Sequence, residues 1–269
     1  MVKSKIGCNW SQPLYELTRN DQMQVDYIKA GAFGDFDDQF ETMRSLRPVL
    51  LHGLGCFDHA GMKNIGRVDF QRANRLIREC GSPHYGLHLA IENADMEHAM
   101  SDEEIHVRMS EGIQIFKRNL SVPLLVENLP DSPQDRTIFD HHPTAEPEKV
   151  ARLLNENDVG LLLDLTHARV TCLYRKWDVH DFLNALPLDR VKEIHVNGLG
   201  YDEQGFPADL HRAMEKEDYG LLAWVLERAH PDIVTLEYLG VGAETPETIS
   251  LNLVEQLHEI NRICQGGLP

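Results

Sequence analysis

Six histidine and carboxylate side chains stand at or next to the ends of short apolar runs that the sequence predicts to be β-strands. They are His52, His88, Glu127, Asp164, His195 and Glu237. If the strands are parallel and close into a barrel, their carboxyl ends meet on one face, and these side chains converge there. Unpaired carboxylates and imidazoles in one dry pocket repel and desolvate one another, and bound cations resolve that conflict. The pattern therefore predicts a metal site, whereas one such residue alone would more often be a structural hydrogen-bonding group.

Two short pairs extend the donor set beyond the strand ends. In Asp164-Leu-Thr-His167, a second donor follows the sixth run directly. In Asp209-Leu-His211, a carboxylate and an imidazole are two residues apart, so in extended backbone they point to the same side. Imidazole with carboxylate is the ligand chemistry of zinc, iron and manganese, and it needs no thiolate. The residues alone leave the choice among these metals open.

Eight apolar runs are the elements that must position these donors. They cover residues 5–8, 25–30, 48–51, 85–90, 122–126, 159–165, 191–196 and 233–238. Segments with helical periodicity lie between them, such as residues 101–120, which begin with a capping box at Ser101. The runs recur about every 33 residues, as in a (β/α)8 barrel. No glycine-rich phosphate motif of a doubly wound sheet follows the first run. We therefore predict a single α/β domain over residues 1–269, a xylose-isomerase-like (β/α)8 TIM barrel.

The overall charge argues against one class of partner. The 269 residues include 43 Asp and Glu against 26 Lys and Arg, which gives a formal net charge of −17. A phosphate backbone is repelled by such a field, and we see no cluster of basic and aromatic residues that would overcome it. The composition therefore predicts that nucleic acid is not the substrate.

Cysteine usage and hydropathy bear on the compartment. The five cysteines are widely spaced and contain no C-x-x-C pair, so they do not resemble a disulfide framework. The first ten residues lack the apolar segment of a secretory signal. No apolar run approaches the roughly 18 residues of a membrane span. These features predict a cytoplasmic protein with no membrane partner.

The ordered series of donors resembles the nine-ligand trinuclear metal site of the xylose-isomerase-like barrel superfamily. The nine positions are His52, His88, Glu127, Asp164, His167, His195, Asp209, His211 and Glu237. Two branches share this pattern: the AP endonucleases of the endonuclease IV type, and the multinuclear non-haem iron-dependent oxidative enzymes, formerly a domain of unknown function. Pro48-Val-Leu-Leu-His-Gly-Leu-Gly55 and Leu125-Val-Glu-Asn-Leu-Pro130 look like the second branch, although many of its members have Asn at the position of His167.

The resemblance implies a grouping of these ligands into three metal positions. One ion would be held by His52, His88 and Glu127. A second would be held by Glu127, Asp164, His195 and Glu237. A third would be held by His167, Asp209 and His211.

The resemblance also implies an activity, the oxidative modification of a peptide or small molecule with dioxygen, with cysteine as the favoured target. Two or three metal ions are implied, with iron favoured and zinc or manganese as alternatives. We expect Glu127, Asp164 and Glu237 to be catalytic. Asn128 and Asn197 lie close to proposed ligands and are candidates to bind substrate, with structural hydrogen bonding as the alternative. Oxidative relatives commonly work beside a partner protein that presents a peptide, and the resemblance extends that expectation to this chain.

Other functions use the same donors on the same fold. In a hydrolase of the endonuclease IV type, metal-activated water attacks a phosphodiester. In a sugar isomerase or epimerase, a carboxylate such as Glu127 or Glu237 moves a proton while divalent ions polarise the substrate. A barrel that stores metal without catalysis is a further alternative. The sequence favours the oxidative enzyme and leaves these alternatives open.

Overall fold

The structure, a computed structural model, describes residues 3–31, 36–53, 59–139, 146–240 and 244–267. The His141-His142 pair, in a long loop predicted over residues 131–147, falls outside these ranges. Ten strands lie within the described residues. They are β1 (Lys5–Asn9), β2 (Tyr27–Ala30), β3 (Val49–His52), β4 (Tyr85–His88), β5 (Leu124–Glu127), β6 (Gly160–Asp164), β7 (Val191–Val196), β8 (Gly198–Tyr201), β9 (Pro207–Arg212) and β10 (Ile233–Leu236).

Eight of these strands close into a parallel barrel in the order β1, β10, β7, β6, β5, β4, β3, β2. All eight correspond to the apolar runs in the sequence, and the predicted (β/α)8 barrel is confirmed. The strands are buried almost throughout, which explains why they are apolar on consecutive residues instead of alternating. That the barrel is the only domain of the chain stays a prediction.

Helices connect the barrel strands along the outside. The described residues form α1 (Gln12–Arg19), α2 (Phe36–Leu46), α3 (Phe70–Cys80), α4 (Asp102–Asn119), α5 (Pro147–Asn157), α6 (Leu165–Arg175), α7 (Val179–Ala185), α8 (Lys216–Leu226) and α9 (Pro246–Cys264). The predicted capping box is present at the start of α4, where Ser101 and Glu104 satisfy each other's backbone N–H groups. No helix in the described ranges is both long enough and apolar enough to span a membrane.

The sequence prediction did not include β8 and β9. These two strands pair antiparallel as a hairpin outside the barrel ring, inserted between β7 and α8. Their sequences, Gly-Leu-Gly-Tyr and Pro-Ala-Asp-Leu-His-Arg, lack the regular alternation that marks a half-buried strand. The hairpin carries two of the predicted metal donors, because Asp209 and His211 lie on β9.

Helix α4 packs closely on the segment around Ala60, which pairs with the end of strand β4. A Cβ atom added at Gly112 would lie 1.8 Å from the backbone oxygen of Ala60. The neighbouring His59 forms a parallel bridge with His88 at the end of β4. Glycine at position 112 therefore allows the helix to approach this backbone.

We expect Gly112→Ala to lower the free energy of unfolding by about 3 kcal/mol, because the added methyl collides with backbone that cannot rotate away. Urea unfolding followed by circular dichroism measures the change. Gly220→Ala is the matched control, since it is also in a helix, α8, and its added Cβ has no atom within 4 Å. Its stability should stay constant or rise slightly through better helix propensity. Equal effects of the two substitutions would contradict the packing argument.

Candidate metal centre

Strand register places the donors at one level of the barrel. His88 on β4 pairs with Glu127 on β5, and Asp164 on β6 pairs with His195 on β7. On the other side of His88, His52 at the end of β3 pairs with Gly86. The barrel therefore presents these five side chains as neighbours around its carboxyl-terminal face.

The carboxylate of Glu127 is surrounded by imidazoles and is 1% exposed. Its Oε2 atom lies 2.6 Å from His52 Nε2 and 3.2 Å from His88 Nε2. Its Oε1 atom lies 3.2 Å from His195 Nδ1 and 3.7 Å from His167 Nδ1. Burial opposes ionisation, but the nearby His195, His52 and His88 outweigh it and hold the pKa of Glu127 well below its usual value. Glu127 can thus bridge two groups of donors.

Asp164 has one carboxylate oxygen in use and one free. Its Oδ1 atom accepts a hydrogen bond of 2.7 Å from the backbone N–H of His167 and so caps the N-terminus of α6. Its Oδ2 atom is buried and has no hydrogen-bond partner, and it lies 3.7 Å from His167 Nε2. Burial raises the pKa of Asp164 to about 7. An orphaned carboxylate oxygen is costly unless a cation binds it.

The hairpin brings further donors to the same place. His167 Nε2 lies 3.0 Å from Asp209 Oδ2, and His211 Nε2 lies 3.5 Å from both Asp209 Oδ2 and Glu237 Oε2. Asp209 and His211 do share a side, but not through regular extended backbone as the i, i+2 spacing suggested. His211 has a φ of +48°, and the β8–β9 register shifts at this point, as in a β-bulge.

The described residues form three groups whose potential ligand atoms all lie within 4.8 Å of one another. These groups are His52, His88 and Glu127; Glu127, Asp164 and His167; and Asp164, His195 and Glu237. The first matches the first predicted metal position, and the third matches most of the second. For the predicted third position, His167 falls instead into a group with Glu127 and Asp164, while Asp209 is its hydrogen-bond partner.

The residues fit a multinuclear metal centre. Two donors about 2.1 Å from one ion, at angles between about 90° and 110°, are themselves about 3.0–3.4 Å apart. The distances of Glu127 to His88, Glu127 to His195, and Glu237 to His195 are 3.2, 3.2 and 3.4 Å. These distances are compatible with ligands that share a cation, although Glu127 and His52, at 2.6 Å, are at hydrogen-bond distance. The orphaned oxygen of Asp164 is the observation that most favours a bound cation.

The protonation of two imidazoles predicts how metal binding depends on pH. Burial opposes protonation, but nearby carboxylates outweigh it and raise the pKa of His167 and His195 well above the ordinary value. Without metal these rings carry protons near neutral pH, and a cation must displace them because only neutral imidazole is a ligand.

We therefore expect apparent affinity for Zn²⁺ to fall as pH is lowered from about 8 to about 6.5, by about tenfold per pH unit for each proton displaced. Competition with a chelator at each pH measures this, and proton release in weakly buffered solution checks the count. An affinity that stays constant over this range would contradict the protonation states assigned to His167 and His195.

Two charged residues inside the barrel were missed in the sequence. The ammonium of Lys29 on β2 contacts Glu237 Oε1, and Glu193 on β7 lies 3.3 Å from His195 Nε2. Burial opposes the positive charge of Lys29, but Glu237 and Glu127 outweigh burial and raise the pKa of Lys29. Both residues lie in apolar runs. The two-residue spacing of Glu193 from His195 is a signal that could have found Glu193, whereas the run that contains Lys29 has no predicted donor.

The two predicted substrate-binding asparagines differ in their surroundings. The amide of Asn128 is engaged on both sides with the backbone of Asp164, donating to its carbonyl and accepting from its N–H at 3.0 Å. This clamp joins the ends of β5 and β6. In contrast, Oδ1 and Nδ2 of Asn197 are both buried without a hydrogen-bond partner. Substrate contact by either residue stays a prediction.

Similar proteins share the sequence or the fold. A UPF0276 protein of Acaryochloris marina is 32% identical over 183 residues, which are 64% of this chain and 62% of that protein. A putative xylose isomerase from Rhodospirillum rubrum superposes with a TM-score of 0.65 at 17% identity, covering 99% of this chain and 100% of that one. Endonuclease IV from Thermus thermophilus superposes with a TM-score of 0.56 at 16% identity, covering 95% and 98%. At these identities the two structures show a common fold.

The family assignment rests on nearly the whole barrel. Residues 5–264 match the family described as RiPP precursor modification enzyme MbnB/TglH/ChrH. The match includes all nine predicted donors and every strand of the barrel. The resemblance inferred from the sequence is therefore confirmed, and this chain belongs to the MbnB/TglH/ChrH family of RiPP precursor modification enzymes.

Proposed function

We propose that this chain binds two or three iron ions and oxidises a precursor peptide at a cysteine with dioxygen. The observation that carries the proposal is the first donor group, His52, His88 and Glu127. Two imidazoles and one carboxylate are the donor set typical of non-haem iron(II) enzymes that use dioxygen. The family match supports a peptide as the substrate.

Iron held by these donors would supply one-electron chemistry with dioxygen and an affinity for the substrate thiolate. In the overall reaction the peptide is the reductant and dioxygen the oxidant. The chain holds no thiolate among the nine proposed ligands, which are His52, His88, Glu127, Asp164, His167, His195, Asp209, His211 and Glu237. A cysteine of the substrate can therefore add a kind of ligand that the protein does not provide.

The side chains also indicate where the substrate approaches. His88 and His211 are 26% and 35% exposed, whereas His195 and Glu127 are 1% and 2% exposed. The open side of the centre thus lies between the end of β4 and the hairpin. The deeper residues are shielded from water, which strengthens their interactions with charge. We propose that the peptide reaches the centre over His88 and His211.

The carboxylates balance the charge of two of the proposed ions. Glu127, Asp164, Asp209 and Glu237 carry a charge of −4 when all are ionised, which two divalent ions balance. Lys29 adds one positive charge beside Glu237. We assign it the role of holding that carboxylate in place. A partner protein that presents the peptide stays a prediction.

The test is to purify the protein without oxygen, determine its metals by elemental analysis and Mössbauer spectroscopy, and add a short cysteine-containing peptide encoded beside its gene. We expect bound iron and, after exposure to dioxygen, a change in peptide mass that requires the cysteine. A Cys→Ser peptide and the zinc-loaded protein are the controls. Full zinc occupancy with cleavage of an abasic DNA duplex, or with isomerisation of a sugar, would support the hydrolase or isomerase instead.

A further inference from the structure

A fully buried carboxylate lies inside the barrel below the proposed metal donors. Glu193 is on β7, two residues before His195, and is 1% exposed. Because strand residues alternate, both side chains point into the barrel. A buried carboxylate is strongly destabilising unless it is paired and hydrogen-bonded. Its partners therefore indicate what it is for.

Glu193 is held from two sides. Its Oε2 atom lies 2.5 Å from His84 Nε2, and its Oε1 atom accepts a hydrogen bond of 2.5 Å from the hydroxyl of Thr235. Thr235 is on β10, which pairs with β7 so that Thr235 is the direct neighbour of His195. These contacts fix the position of the carboxylate before any metal binds.

The imidazole of His195 connects this carboxylate to the donor groups. Its Nε2 atom lies 3.3 Å from Glu193 Oε1, which is an ion-pair distance, and forms no hydrogen bond in this geometry. Its Nδ1 atom, on the other side of the ring, lies 3.2 Å from Glu127 Oε1 and 3.4 Å from Glu237 Oε1. With the ring oriented in this way, Nδ1 is the nitrogen available to a metal and Nε2 is the nitrogen that faces Glu193.

We propose that Glu193 is a positioning residue that holds the ring of His195 with Nε2 towards its own carboxylate and so presents Nδ1 to the metal. A carboxylate behind a ligating imidazole fixes its tautomer and ring orientation and increases its strength as a ligand. The inference rests on the proposed function only in taking His195 as a ligand. Thr235 and His84 act through Glu193 by holding its two oxygens.

Glu193→Gln tests this role, with Co²⁺ as the probe. The substitution keeps the shape of the side chain and removes the charge behind His195. We expect Co²⁺ to bind 10- to 100-fold more weakly, a loss of about that size being typical when the partner of a metal ligand is replaced. The visible absorption of bound Co²⁺ should shift as well. Both are measured by titrating metal-free protein in the presence of a competing chelator.

The matched control is Glu156→Gln. Glu156 also pairs with a buried histidine, His106, at 2.7 Å, but this pair lies between α4 and α5. Its Co²⁺ affinity and spectrum should equal those of the wild type. If Glu193→Gln keeps the wild-type affinity and spectrum and only unfolds more easily, Glu193 merely fills the barrel and the inference is wrong.

Two further variants separate the possible failures. If Glu193→Gln does not fold, the isosteric Thr235→Val carries the test, with an expected loss of a few-fold in affinity, and an unchanged affinity overturns the inference. His195→Ala tests the proposed function itself. Wild-type Co²⁺ binding by His195→Ala would remove His195 from the ligands. Weak binding by His195→Ala with normal binding by Glu193→Gln would overturn only the role of Glu193.

Discussion

Replacing Glu127 with glutamine is expected to reduce bound metal and peptide oxidation more than any other single substitution. Glu127 belongs to two of the three donor groups, and four imidazoles lie within 3.7 Å of its oxygens. Since losing an outer partner of a ligand already costs 10- to 100-fold, we expect loss of this shared ligand to cost more than about a hundredfold in activity. Elemental analysis and peptide turnover measure the two effects.

The control for Glu127→Gln is the same change at Glu97. That side chain is 73% exposed and pairs with Lys63 at the surface. Its metal content and turnover should match those of the wild type. If Glu127→Gln retains a full complement of metal, the carboxylate is not shared between groups and the proposed centre must be redrawn.

Asp164→Asn is expected to abolish metal binding at the two donor groups that contain Asp164, and to stabilise the metal-free protein. The folded pKa of Asp164, about 7, lies above the ordinary value of 3.8, so ionisation of this carboxyl opposes folding. The penalty is absent at low pH, grows as pH rises between these two values, and is complete above them. The resulting gain in stability is of the order of a few kcal/mol. Asparagine still caps α6, so the helix should remain intact.

Urea unfolding of the metal-free proteins at about pH 5 and about pH 8 measures this effect. The advantage of Asp164→Asn over the wild type should be larger at the higher pH. Asp178→Asn is the matched control, because Asp178 also caps a helix, α7, and belongs to none of the three donor groups. It should alter neither metal binding nor the pH dependence. An Asp164→Asn protein that is less stable than the wild type at both pH values would contradict the argument.

The positions of the barrel donors could be predicted because the barrel topology determines where the strand ends lie. Parallel strands in a closed barrel end on the same face, so a donor at each strand end is enough to bring His88, Glu127, Asp164 and His195 together. The register of β4 with β5 and of β6 with β7 aligns them in pairs. This inference needs only the strand pattern and the residue types.

Other parts of the site depend on contacts that no local pattern contains. Lys29 and Glu193 lie in apolar runs, and their roles follow from partners on strands far away in the sequence. The conformation of His211, with its positive φ, depends on a shift in hairpin register. The double engagement of Asn128 requires Asp164 to be placed next to it by β6. These contacts join residues that are far apart in the sequence, so they can be identified only in the folded structure.

The predicted donors are carried by two different parts of the fold, the barrel strands and the hairpin formed by β8 and β9. The ring of eight strands closes without it, and the donors at the ends of those strands belong to the ring. Asp209 and His211 are carried by a segment outside that ring. A change in the length of the connection between β7 and α8 would therefore move these two side chains without opening the barrel. The connection can vary while the donors on the ring stay in register.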